Sequence, residues 1–190
     1  MTNIAIFVSG NGTNCENIIR YFQNSDIAKV SLVISNKADA YALTRAKNLN
    51  VPSMVASKSQ FNDEKFLLPI LKEYNIDFIV LAGFLLMVPP YLINEYDHKM
   101  INIHPAILKK YGGKGMYGHH IHEAVKAAGE KETGITIHYV NEICDGGEII
   151  KQYSTSIAPE DTVEDIEEKV HVLEQTYFPS VIEAAIIKQQ

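Results

Sequence analysis

Apolar runs rich in β-branched residues recur along the chain, and stretches of helical spacing lie between them. NIAIFV (3–8), VSLVIS (30–35) and IDFIVLAGF (76–84) are three such runs. The last is apolar throughout, as a strand covered on both faces should be. Between them CENIIRYF, ADAYALTRAKNLN (38–50) and FNDEKFLLPILKEY (61–74) read as helices, with Pro69 expected to bend the third or open a new turn. Val51 and Pro52 start a further short strand, and PPYLINEY (89–96) is a short helix leading to INIHP. This alternation predicts an α/β, Rossmann-like fold: a mostly parallel, doubly wound sheet with helices on both sides.

The rhythm breaks at 105–119, where PAILKKYGGKGMYGH carries four glycines and no periodicity. That reads as a long loop able to fold over a site. HIHEAVKAAG (120–129) is a helix closed by Gly129. TGITIHYV (133–140) and GEIIKQYSTSI (147–157) are extended and joined tightly through NEICDGGE. They predict an antiparallel pair at one side of the sheet, toward the C-terminal part. A long amphipathic helix (162–178) then runs to Pro179, and SVIEAAII closes the chain. With no repeat or linker, residues 1–190 read as one domain.

Composition narrows the function. A net charge of −6 argues against a nucleic-acid groove, which needs concentrated Lys and Arg. Cys15 and Cys144 are the only cysteines, too few for a disulfide framework or a cysteine-rich zinc site. MTNIAIFVSG lacks a basic n-region and a long apolar run, so neither a signal peptide nor a membrane span is expected, and the cytoplasm is the expected compartment.

Three stretches carry candidate chemistry. SGNGTN (9–14) sits between a strand and a helix, where amide groups can hold an anion. A dinucleotide fingerprint would need glycine where Cys15 stands and an acidic residue where Asn36 stands, so a single phosphate, or a plain turn, fits better. In INIHP, Asn102 and His104 alternate with Ile101 and Ile103 and so share a face: a satisfied polar pair in a core, or two groups facing a site. CDGG (144–147) is a turn unless Asp145 approaches His104, where it would fix the tautomer. Asn102, His104 and Asp145 would then supply an amide donor, a base and its orienter, the groups acyl transfer to an amine requires. The histidines of HHIH lack metal-ligand spacing. His119 and His120 fall in the loop or helix start, His122 on a solvated face, and His138 either faces a site or is a satisfied strand residue.

These stretches together carry a resemblance. SGNGTN, SNKADA (35–40), LAGF (81–84), INIHPAIL (101–108), TGITIHYV with DGGEII (145–150), and EQTYFP (174–179) resemble, in order, the phosphoribosylglycinamide formyltransferase family of folate-dependent enzymes. The resemblance implies transfer of a formyl group from 10-formyltetrahydrofolate to the amine of 5-phosphoribosylglycinamide in purine biosynthesis, with no metal. It implies small-molecule substrates, no nucleic acid, no membrane, and a monomer or homodimer. Residue by residue, Asn102 would donate to the formyl oxygen, His104 would be the general acid/base, and Asp145 would hold that imidazole and favour its charged form. Gly12, Thr13 and Asn14 would take the substrate phosphate, and Glu174 its ribose. Leu85, Leu86, Met87 and Val88, with Asn141, Glu142, Ile143, Cys144, Asp145 and Asn102, would frame the folate, largely through backbone groups. Glu64 and Lys65 stand where relatives often carry an arginine, so no residue is assigned to the folate carboxylate. Formyltransferases acting on other amines share the core, and a phosphate- or nucleotide-binding module is the non-enzymatic alternative.

Overall fold

In the computed structural model, which describes residues 1–108, 110–113, 115 and 117–189, NIAIFV lies in strand β1 (Thr2–Val8). Ile4 to Val8 are wholly buried. Alternation sends them to opposite faces. Ile4, Ile6 and Val8 join a cluster with Ile18, Ile19 and Phe22 of helix α1 (Thr13–Phe22). Ala5 and Phe7 join a second cluster with Leu67 and Leu71 of helix α4 (Glu64–Glu73). Burying one such large side chain stabilises by about 1.5–3 kcal/mol, so a strand dry on both faces anchors both helical layers.

Strands β2 (Ala28–Ser35), β3 (Ser53–Val55), β4 (Phe78–Leu81) and β5 (Met100–His104) extend the sheet in parallel. β6 (Glu132–Tyr139) and β7 (Ile149–Ser156) add antiparallel strands. The spatial order is β3-β2-β1-β4-β5-β6-β7. The chain winds outward from β1 to β3, then restarts at β4 on the other side. The crevice beyond the carboxyl ends of β1 and β4 is therefore the switch point at which such sheets bind ligands. The remaining helices are α2 (Tyr41–Asn48), α3 (Lys58–Phe61), α5 (Pro90–Glu95), α6 (His119–Ala127) and α7 (Val163–Ile187). The expected α/β fold is present, with most elements within a few residues of the spans read from sequence. Between His104 and His119 the described residues form no helix or strand. Lys109, Lys114 and Met116 of the expected 105–119 loop lie outside the described residues.

Three local expectations are corrected. The helix read over 61–74 is two helices, broken at Asn62–Asp63. Ser57 and Gln60 form a capping box on α3, and the Asp63 carboxylate accepts the Lys65 N–H at 3.0 Å to start α4. Pro69 stays inside α4, on an exposed position. The helix expected to end before Pro179 continues through it as α7. A proline there leaves the Gln175 carbonyl without its helical donor. The Asn17 amide of α1 donates to that carbonyl at 2.8 Å, and Phe178, Val181 and Ile182 are buried around the same turn. His122, expected on a solvated face, is buried where α6 packs against α7. Burial holds its pKa below the ordinary 6.5, against the opposing influence of Glu167 and Glu174.

Asn17→Ala is expected to cost about 1–2 kcal/mol by urea titration, since it leaves the Gln175 carbonyl unpaired. In a Pro179→Ala background, which restores the helical donor, the same change should cost less. Burial of neutral His122 also has a sign. The unfolded chain binds this proton first as pH falls through about 6.5, so the contribution is present above that pH and lost below it. Melting followed between pH 7.5 and 5 should show a smaller acid loss for His122→Leu than for the parent.

Candidate active site

β5 ends at the carboxyl edge of the sheet with Asn102 and His104 on one face. The antiparallel register sets His138 directly opposite Asn102 and Thr136 opposite His104. His138 therefore shares that face. The connection from β6 to β7 folds back over it, with Asp145 in the left-handed region at φ 53°. Gly147 makes the approach possible, because a Cβ there would stand 1.7 Å from the Tyr139 carbonyl oxygen.

Asp145 is the centre of the arrangement. Its Oδ1 lies 3.5 Å from His104 Nδ1 and 3.7 Å from His138 Nε2, and its Oδ2 accepts the Gly113 N–H at 2.9 Å. Burial alone would raise this carboxyl, but the His104 imidazole and the Gly113 amide outweigh it and hold the group well below the usual carboxylate range. His104 faces the carboxylate from Nδ1 and the Tyr111 carbonyl from Nε2. Both neighbours are acceptors, so a ring that satisfies both donates from both nitrogens. His138 is different. Its Nδ1 faces the Tyr139 carbonyl at 2.8 Å, so the neutral ring carries its proton there and leaves Nε2 to accept from Asn102 Nδ2 at 3.1 Å. That contact fixes the amide's orientation and leaves its second N–H free for a developing negative charge. A cavity of about 590 Å³ opens beside the group, lined by Leu108, Gly112, Cys144, Asp145, Gly147 and Ile149 among others.

The phosphate candidates gather at the end of β1. Gly12 is the N-cap of α1 at φ 78°, with no side chain to occupy the first-turn amides. Asn14 Nδ2 donates to Glu174 Oε2 at 2.9 Å, and Gln175 Nε2 donates to Asn14 Oδ1 at 3.0 Å. Asn14 and Glu174, 160 residues apart, are thus in direct contact. His171 Nδ1 stands 3.5 Å from the same Glu174 oxygen, and that carboxylate raises the histidine's pKa. Ser9 couples this loop to the next segment: its hydroxyl accepts the Leu85 N–H at 2.9 Å and donates to the Asn36 side chain.

Of the residues expected to frame a folate, Leu85, Met87 and Ile143 expose large apolar side chains, while Val88 turns into the core. Asn141 shapes the loop by accepting the Ile143 N–H at 2.9 Å and donating to the Gly146 carbonyl at 3.2 Å. Glu142 is exposed, and Leu86 packs against the second core cluster. Burial and the adjacent Asp145 raise the Cys144 thiol, which makes it a poor nucleophile. Among the described residues no three His, Cys, Asp or Glu side chains gather as metal ligands.

The sequence model of the formyl transferase family matches residues 2–182. The chain belongs to that family. This formyl transferase is 39% identical to the phosphoribosylglycinamide formyltransferase of Haemophilus influenzae over 96% of its own length and 86% of the relative's. It is 34% identical to the Bacillus subtilis enzyme of the same name, covering 96% and 93%. The crystal structure of phosphoribosylglycinamide formyltransferase from Streptococcus pneumoniae superposes with a TM-score of 0.85 at 35% identity, covering 97% of this chain and 98% of that one. The counterpart from Anaplasma phagocytophilum gives 0.89 at 30%, covering 98% and 87%.

The structure brings Asn102, His104 and Asp145 together, and brings Asn14 to Glu174. It adds His138, Tyr111 and Gly113 to the first group. For His138 the clue lay in TGITIHYV, but only the pairing register with β5 selects it over a plain strand residue. Asp145→Asn retains an acceptor for the Gly113 amide and removes the charge. It should keep the circular dichroism of the parent and lower turnover by on the order of 10²–10⁴.

Proposed function

We propose that this formyl transferase moves a formyl group from 10-formyltetrahydrofolate to the amine of 5-phosphoribosylglycinamide, a step of de novo purine biosynthesis. The observation that carries the reading is the cluster at the end of β5, where His104 stands against the Asp145 carboxylate and Asn102 is paired with His138 beside it. The amine nitrogen attacks the formyl carbon, whose oxygen takes up the electron pair. The free N–H of Asn102 and the His104 imidazolium stabilise that oxyanion. His104 gives its proton to N10 of the folate as the carbon–N10 bond breaks, and the neutral imidazole then takes up the proton that the amine loses. Asp145 keeps the imidazole oriented and balances its charge throughout. None of these transfers needs a metal ion or a covalent intermediate.

At the other end, Gly12, Thr13 and Asn14 hold the phosphate on first-turn amides of α1, and Glu174 takes the ribose hydroxyls. Leu85 to Val88 and Asn141 to Asp145 frame the folate. The same reading makes residues 1–190 a single formyltransferase domain, a monomer or homodimer acting on small molecules in the cytoplasm. No helix among the described residues is long and apolar enough to cross a membrane, and the net charge of −6 disfavours nucleic acid.

Incubation with 10-formyltetrahydrofolate should release tetrahydrofolate only when 5-phosphoribosylglycinamide is added, with turnover surviving dialysis against EDTA. Turnover that required a different amine, or a restored divalent metal, would overturn the assignment. Asn14→Ala should raise KM for the phosphorylated substrate more than it lowers kcat, because a remote contact acts alike in ground and transition states. An unchanged KM would place the phosphate elsewhere.

A further inference from the structure

The loop that starts α1 is gripped from outside by α2, and the grip centres on a residue that touches neither the catalytic group nor Glu174. Arg45 donates from Nε to the Asn11 carbonyl at 2.9 Å and from a terminal nitrogen to the Asn11 side-chain oxygen at 3.0 Å. Its other terminal nitrogen is paired with Glu16 in the first turn of α1. The guanidinium also lies 4.9 Å over the ring of Tyr41. One turn earlier on the same helix, the Ala42 N–H donates to the Gly10 carbonyl at 3.2 Å. Ala42 packs so closely on Gly12 that a Cβ there would stand 2.3 Å from its own. Three successive loop residues, Gly10, Asn11 and Gly12, are thus held by two residues of one helical face.

The charge arrangement matters as much as the grip. Glu16 places a carboxylate in the first turn of the helix whose amides face the anion, where an unpaired negative charge would repel a phosphate. Arg45 and Arg20 both bind it, Arg20 at 2.8 Å, and they hold its pKa below the ordinary carboxylate value. The fork geometry of an arginine suits this double task, since one planar group serves Asn11 and Glu16 at once.

We propose that Arg45 is a positioning residue for the phosphorylated substrate, fixing the 10–12 loop and masking the Glu16 charge. This rests on the reading that the loop and the first turn of α1 take the phosphate. Arg45→Ala should raise KM for 5-phosphoribosylglycinamide by roughly 10–100-fold, with kcat within about threefold and KM for 10-formyltetrahydrofolate unchanged. Arg45→Lys keeps the charge without the fork and should fall between parent and alanine variant. The double variant Arg45→Ala with Glu16→Gln should recover at least about threefold of the lost KM, because the unmasked carboxylate is gone.

Each result decides. A folded Arg45→Ala enzyme with parental KM for the phosphorylated substrate, while Asn14→Ala raises it, overturns the role of Arg45 and leaves the phosphate reading standing. Parental KM in both variants overturns the phosphate reading itself. Equal damage to both KM values and kcat marks Arg45 as merely structural, and a double variant no better than Arg45→Ala removes the masking role. Should Arg45→Ala fail to fold, the lysine variant takes its place: a selective rise in the one KM supports the proposal, and a parental value overturns it.

Discussion

A carboxylate largely shielded from water is tolerable only when its charge is met from more than one side, and Asp145 is met from two. His104 comes from the end of β5 and the Gly113 amide from the segment that follows INIHP, while His138 of the paired strand holds Asn102 beside them. Each partner belongs to a different part of the chain, so the charge can be buried only when β5, β6 and the two connections are all in place. The same requirement assembles the face proposed to be catalytic. A polar cluster of this kind is costly if half made and rigid if complete, which suits a site that must present an N–H and an imidazole at fixed positions.

The sheet supplies the other half of the design. Because the winding reverses between β1 and β4, the loops after these strands diverge and leave a crevice between them. Ser9 bridges that crevice from its floor, joining the loop before α1 to Leu85 and Asn36 through a single hydroxyl. The two substrate halves proposed for this enzyme would lie on either side of that bridge. The antiparallel strands β6 and β7 then add what a purely parallel sheet lacks: a tight return that brings a carboxylate back over the strand ends.

Much of this was legible in the residues. Apolar runs of β-branched residues marked the parallel strands, the alternation in TGITIHYV marked β6, and the spacing of Asn102 and His104 put them on one face. What escaped depended on contacts far apart in sequence. His122 looks solvent-facing because HIHEAVKAAG gives no sign that α7 will cover it. Pro179 looks like a stop because its remedy, Asn17, lies 158 residues away from Gln175, whose carbonyl it satisfies. His138 could not be separated from an ordinary strand residue without the register that sets it against Asn102. The break at Asn62–Asp63 is another matter: Ser57 and Gln60 at capping-box spacing, followed by Asp63, were a local signal for two short helices.

The contacts of α1 with α7 bear on how the protein is made. Asn14 and Asn17, both in the first helix, reach Glu174 and Gln175, close to the end of the chain. A nascent chain that has completed β1, α1 and the whole parallel sheet still lacks the partners that order these two asparagines. The residues proposed for substrate recognition are therefore split between α1 and α7, with the whole sheet synthesised between them. Their competence waits on the docking of α7, so a product that stopped short of that helix could fold most of its sheet and still be without this half of the site.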